Sequence, residues 1–213
     1  MFTGIVAAVG RIVSIRPLGE AGSPAGLHLE IDAGGLGLDD VGIGDSIAVQ
    51  GACMTVVAKQ GSRFEVDVSR ESLNLTVGLD REGEVNLEKS LRVGDQIGGH
   101  LVSGHVDGLG TVERFDQAGE SYELAVRVPA SLARYLAYKG SITVNGVSLT
   151  VNSVEDDADG CLISINLIPH TLEVTTLKHL RPGTRVNLEV DTIARYVERM
   201  MAVAGGQGSI AAL

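Results

Sequence analysis

Apolar and polar residues alternate along much of this chain with a period of two. In LHLEID at 27–32 and FEVDVS at 64–69 every second side chain is apolar, and EVNLEK at 84–89 keeps the alternation through Val85 and Leu87. GRIVSI at 10–15, SIAVQG at 46–51 and MTVVAK at 54–59 are apolar runs of strand length. Period two predicts strands with one buried face. Gly, Asp-Gly and Pro-Gly breaks between the runs predict tight turns. Six strands therefore fit into the first half of the chain. Helical signal falls only between the second and third strand of each half. In the second half PASLARYLAYKG at 129–140 carries it, with Pro129 at the start, Leu132, Tyr135 and Leu136 on one stripe and Gly140 at the end. The matching stretch AGGLGLDDVGIGD at 33–45 is poorer in helix formers. Near the C-terminus Ile193, Tyr196, Val197, Met200, Met201 and Ala204 follow helical spacing. That stripe needs a partner surface, either a barrel or another subunit. The residues after it read as a flexible tail.

The pattern is written twice. SIAVQGACMTV at 46–56 returns as SITVNGVSLTV at 141–151, identical at six of eleven positions. MFTGIVAAVG at 1–10 returns as LVSGHVDGLG at 101–110. FEVDVSRESLNLT at 64–76 aligns with LISINLIPHTLEVT at 162–175, and Val85-Asn86-Leu87-Glu88 with Val186-Asn187-Leu188-Glu189. The four blocks keep their order at offsets of 95 to 101 residues. A duplicated unit is the reading that explains both order and spacing. The expected organisation is all-β: one six-stranded closed antiparallel barrel over 1–97, a second over 98–191, and a terminal helix with its tail over 192–213.

Composition adjusts this picture in a few places. The chain has 213 residues, 44% of them hydrophobic, enough for two cores. Twenty-eight glycines and only 3% aromatics fit short strands and tight turns. A net charge of −10 argues against nucleic acid or an anionic membrane as partner. No apolar run is long enough to span a bilayer, and the N-terminus lacks the basic leader of a signal peptide. Two cysteines, Cys53 and Cys161, make no disulfide framework, so the cytoplasm is the expected compartment.

Met-Phe-Thr-Gly-Ile-Val at the N-terminus, Gly99-His100-Leu101-Val102-Ser103-Gly104-His105, Gly146-Val147-Ser148-Leu149-Thr150-Val151 and Ile168-Pro169-His170-Thr171 together resemble the riboflavin synthase alpha-chain family. The resemblance runs from Met1 to about Val197. It implies tandem six-stranded Greek-key barrels, each taking one 6,7-dimethyl-8-ribityllumazine, and a C-terminal helix that assembles a homotrimer. It implies a dismutation in which one lumazine passes a four-carbon unit to the other, without cofactor or metal. Association with lumazine synthase is a further partner expectation. Lumazine- or flavin-binding fluorescent proteins of similar build are the alternative in which the chromophore is held without turnover.

Identical substrates with different fates need unlike surroundings. The aligned copies diverge at Cys53 against Ser148, Ile5 against His105, Ser90 against Asp191 and Glu71 against His170. The resemblance makes His105, Ser148, Asp191 and Cys53 the expected catalytic set, with His105, Ser148, Thr150 and Asp191 in the second barrel and Cys53, Ser46 and Thr55 in the first. It adds Phe2, Thr3, Gly4, His100, Gly104, Lys139 and Ile168 as substrate-binding residues. Gly51 and Gly146, lacking Cβ atoms, are expected to let backbone approach a flat ring closely, with their amides reading its pyrimidine edge. A histidine can shuttle protons near neutral pH, a carboxylate can accept one or orient the histidine, and hydroxyls can hold a ribityl chain.

Plainer readings stand beside these. Cys53 reads equally as a small buried hydrophobe. His100 and His105 are five apart, so on one strand they would point to opposite faces and share no metal. His100 suits an inter-barrel hydrogen bond, and Asp191 suits a cap of the terminal helix as well as catalysis. His170 suits a turn, while His28 and His179 are expected in solvent. The Gly-rich GDQIGGHLVSGHVDG lacks the lysine of a phosphate loop.

Overall fold

The computed structural model describes residues 1–19 and 25–204. Strands β1 (Ala8–Pro17), β2 (Leu27–Asp32), β3 (Ser46–Val49), β4 (Ala52–Gln60), β5 (Arg63–Val68) and β6 (Gly83–Lys89) close into one barrel in the order β1-β2-β5-β4-β3-β6. Strands β7 (Gly108–Ala118), β8 (Ser121–Pro129), β9 (Ser141–Val144), β10 (Val147–Asp157), β11 (Gly160–Leu167) and β12 (Arg185–Val190) close into a second barrel of the same topology. All pairings are antiparallel. Closure leaves neither barrel with an open sheet edge.

Period two does what the sequence predicts. Along β5, Phe64, Val66 and Val68 are fully buried and the residues between them are not. They join Leu29, Ile31, Ile47, Val49 and Val56 in one core, and the second barrel builds its own around Leu124, Val126, Ile142, Ile163 and Ile165. Burying a side chain of this size contributes roughly 1.5–3 kcal/mol. The bends that allow closure are duplicated too. Register shifts at Ile12/Ser14 and Val56/Ala58 recur at Val112/Arg114 and Val151/Ser153. One extra residue per bulge sharpens the local twist.

The helices depart from expectation. The helix expected over 129–140 is only α2 (Ala130–Ala133). Beyond it the chain tightens through Tyr135 N to Leu132 O and Leu136 N to Ala133 O and turns toward β9. Helices also form where no helical signal was read, after the fifth strand of each copy: α1 (Arg70–Leu75) and α3 (Pro169–Glu173). Ser69 caps α1 through its hydroxyl, which accepts from Ser72 N at 3.0 Å, and Pro169 occupies the first turn of α3. These are ordinary start signals for a helix too short to show periodicity. The terminal helix is α4 (Thr192–Ala204), and it buries none of its residues. Arg134–Glu198 at 3.1 Å and Arg195–Asp107 at 2.7 Å tie it to the second barrel. The expected tail from residue 205 lies outside the described residues.

The barrels meet through their duplicated hairpins. Gln50-Gly51 and Asn145-Gly146 are two-residue turns with positive φ at both positions, 52° and 90° in the first and 51° and 80° in the second. A Cβ on Gly51 would lie 2.7 Å from Gly146 N, and one on Gly146 would lie 2.8 Å from Gly51 N. The two glycines thus pack on each other. That overturns the expectation that they admit a flat ring. Asn86 and Asn187 complete this junction: Asn86 Nδ2 donates to Asn145 O and Asn187 Nδ2 to Gln50 O, both at 2.9 Å.

Candidate active site

The segments that precede the two barrels change places. Residues 1–6 lead into β1, yet Val6 packs on the core of the second barrel. Residues 101–106 lead into β7, yet Val106 packs on the core of the first. The segments cross as an antiparallel pair, Phe2 N to Val102 O at 2.7 Å and Val102 N to Phe2 O at 3.0 Å. Beyond the crossing each adds to the hairpin of the other unit. Cys53 N donates to Gly104 O at 2.7 Å, and Ser148 N donates to Gly4 O at 2.8 Å.

These approaches require glycine. Gly104 has φ +77°, and a Cβ there would stand 2.7 Å from Cys53 Cβ. Gly4 has φ +75°, and its Cβ would stand 2.6 Å from Ser148 Cβ. Neither the backbone conformation nor the space admits a side chain.

A buried carboxylate holds each segment. Glu88 on β6 accepts from Thr3 N and Thr3 Oγ1 at 2.7 Å and from Gly4 N at 2.9 Å. Glu189 on β12 accepts from Ser103 N at 2.7 Å and Gly104 N at 2.9 Å, with the His105 amide adding to the set. Burial raises the Glu88 carboxyl above its ordinary range, against the pull of the Thr3 hydroxyl and the Thr3 and Gly4 amides. Burial pushes Glu189 up to about 7, with the Asp107 charge adding and the three amides opposing.

The crossing redistributes the expected site residues. His105 does not join Ser148. It lines a cavity of about 200 Å³ on the first barrel with Cys53, Met54, Glu71, Ser72 and Thr76. The correction has a simple cause: the segment carrying His105 is handed to the other barrel before its own strand begins. Ser148 is met instead by His100, whose Nδ1 lies 2.8 Å from Ser148 Oγ. Burial lowers the His100 pKa below 6.5, so the ring is neutral at neutral pH, and the nearby Asp191 charge opposes that shift. His100 Nε2 is buried with no hydrogen-bond partner among the described residues. Asp191 also caps α4, its Oδ1 accepting from Ile193 N at 2.9 Å. The His100 side chain thus bonds within its own unit, and the contact of His100 with the first unit is made by its backbone, His100 N donating to Thr3 O at 3.1 Å.

The remaining residues fall into two groups. Cys53 and Thr55 on β4, and Ser148 and Thr150 on β10, share the outward face of their strands, with Ser46 paired to Thr55 and Ser141 to Thr150. Lys139 stands at φ +64°, where the first copy has Gly44, and its Nζ donates to Asn152 Oδ1 at 2.8 Å. Ile168 is exposed at the start of α3. Phe2 and Thr3, by contrast, are interior. Phe2 is fully buried against Ala48, Val102 and Cys53, and Thr3 is consumed by Glu88. They build the site from behind. Of the other histidines, His28 is not free in solvent but lies between Asp67 at 2.6 Å and Glu65 at 2.7 Å, and His179 pairs with Glu84 at 2.8 Å. No group of three or more His, Cys, Asp or Glu among the described residues is arranged to hold a metal.

Sequence reasoning missed Glu88 and Glu189 as site-building residues. Their signal was the repeated Val-Asn-Leu-Glu: an acidic residue closing an otherwise buried strand twice over needs buried partners.

Known proteins of this pattern exist. The lumazine binding domain matches residues 3–90 and again 103–191. Riboflavin synthase of Photobacterium phosphoreum is 41% identical over 205 residues, covering 95% of this chain and 90% of that protein. Riboflavin synthase of Mycobacterium tuberculosis strain H37Rv is 43% identical over 208 residues, covering 96% and 100%. Among solved structures, LumP complexed with 6,7-dimethyl-8-(1'-D-ribityl) lumazine superposes with a TM-score of 0.74 at 26% identity, covering 89% of this chain and 99% of that one. LumP with riboflavin gives 0.75 at 27% and the same coverage.

Proposed function

The chain belongs to the riboflavin synthase family, and from that premise we propose how its two barrels divide the work. The activity is the dismutation of two 6,7-dimethyl-8-ribityllumazine molecules into riboflavin and 5-amino-6-ribitylamino-uracil, a four-carbon transfer. Each barrel holds one lumazine. One observation carries this reading: equivalent crossings set Gly104 on Cys53 and Gly4 on Ser148, yet Cys53 then shares its pocket with His105 while Ser148 is bonded by His100. The sockets match in backbone and differ in polar chemistry, as a donor and an acceptor of the same structure require.

The chemistry needs a proton removed from the C7 methyl of one lumazine, a nucleophile added at C7 of the other, and proton movement during ring closure. His105 and the neutral His100 are the groups suited to move those protons. Cys53, Ser148, Asp191, Thr55 and Thr150 contribute nucleophilic or hydrogen-bonding groups around them. Stacking two rings in register supplies much of the acceleration, about 7–11 kcal/mol in favourable cases.

In this reading the units 1–97 and 98–191 are the two lumazine barrels, and 192–213 serves assembly. The first barrel of one subunit faces the second barrel of its neighbour in a homotrimer built on α4. The support is the stripe of Ile193, Tyr196, Met200 and Val203, each more than half exposed on the single chain. The enzyme works in the cytoplasm, where lumazine synthase is a candidate partner. No helix among the described residues is long and apolar enough to cross a membrane.

Purified protein given the lumazine as sole reagent tests the reading. Riboflavin and the pyrimidine should appear in equal amounts, one of each per two lumazines consumed. Lumazine that stays bound, fluorescent and unconverted would instead make the chain a chromophore carrier, the reading that its likeness to LumP favours.

A further inference from the structure

We propose that Glu88 and Glu189 are crossed positioning residues: each, from its own barrel, fixes the segment that completes the pocket of the other barrel. Glu189 belongs to the second barrel, but the residues it holds, Ser103 and Gly104, put the Gly104 carbonyl on Cys53 and deliver His105 to the first pocket. Glu88 belongs to the first barrel, but Thr3 and Gly4, which it holds, put the Gly4 carbonyl on Ser148. The geometry suits orientation. Two carboxylate oxygens accept from two successive amides, which fixes the two peptide planes leading up to the carbonyl that meets the other hairpin. The carbonyl's own plane is tied by the next amide, His105 N to Glu189 in one segment and Ile5 N to Thr3 Oγ1 at 3.1 Å in the other. Both carboxylates are nearly inaccessible, at 8% and 2% exposure, so water does not compete for those amides. The pockets are thereby wired across the duplication: a change in one barrel's last strand is felt in the other barrel's ligand site.

The pocket assignments rest on the lumazine reading, so the decisive measurement is made without ligand. Gln in place of Glu turns one acceptor into a donor that faces an amide N–H. Iodoacetamide alkylation of Cys53 reports the first pocket, with the fully buried Cys161 as internal control. The ring signals of His105 and His100 report the first and second pockets by NMR. E189Q should change the Cys53 rate by about tenfold and shift His105 while His100 stays. E88Q should shift His100 and leave the Cys53 rate within about twofold. With lumazine present, protection of Cys53 should weaken in E189Q. Effects that follow each glutamate's own barrel, fall equally on both pockets, or are absent overturn the proposal. Should E189Q fail to fold, pH titration of the unaltered protein decides. The amide signals of Ser103, Gly104 and Cys53 should move together near pH 7, where Glu189 titrates. A Cys53 amide that stays still while Gly104 moves overturns it. If lumazine never protects Cys53 in the unaltered protein, the lumazine reading fails, and the ligand-free rates still decide the wiring.

Discussion

The amide of Cys53 in the first barrel donates to the carbonyl of Gly104 in the lead-in to the second, at 2.7 Å. Its counterpart joins Ser148 to Gly4 at 2.8 Å. Through this pair neither pocket belongs to one unit of the repeat. Each hairpin is closed by a segment from the other unit, and on the first barrel this places His105 in one cavity with Cys53.

His105→Ala should lower turnover by about 10²-fold or more while lumazine binding weakens far less. Steady-state rates beside equilibrium titration separate the two. Equal losses in both would make His105 a binding residue.

Gly104→Ala adds a Cβ at φ +77° against Cys53 Cβ at 2.7 Å and the Phe2 ring at 2.9 Å. The backbone conformation alone costs on the order of 1–3 kcal/mol. Denaturant unfolding should register that loss together with lost activity. Gly35→Ala, where a Cβ would meet nothing within 4 Å, should be near neutral.

Glu189 makes stability fall as pH rises. Folded, its carboxyl keeps a proton up to about pH 7; unfolded, it releases one near 4.5. Between those values the folded state binds more protons, so this contribution is full below 4.5 and is lost as pH climbs through 7. The span is on the order of 3 kcal/mol. Urea midpoints of the unaltered protein should drop across this window, and Glu189→Gln should show a shallower drop.

Tyr196→Asp with Met200→Asp places charge on the exposed apolar stripe of α4. The double variant should sediment as a monomer with little activity. An active monomer would remove the inter-subunit site.

Much of this was legible in the chain, and the limits are physical. Strand periodicity and the four repeated blocks gave the two barrels, because burying one face of a strand writes itself into every second residue. The short helices α1 and α3 stayed hidden because five or six residues carry no helical period. The placement of His105 stayed hidden for a different reason. Alignment of Ile5 with His105 shows equivalence but not the barrel against which either segment packs; only Val6 and Val106 seated in opposite cores reveal the exchange. Gly51 and Gly146 looked ligand-directed because a close approach demands glycine whatever does the approaching, and here each approaches the other.

The central claim is two unlike lumazine sockets on one doubled chain. Titrating the protein with a lumazine that lacks the 7-methyl group, and so cannot start the reaction, counts them directly. Two equivalents bound per chain, with unequal affinities, is the expected result. Saturation at a single equivalent per chain would contradict it.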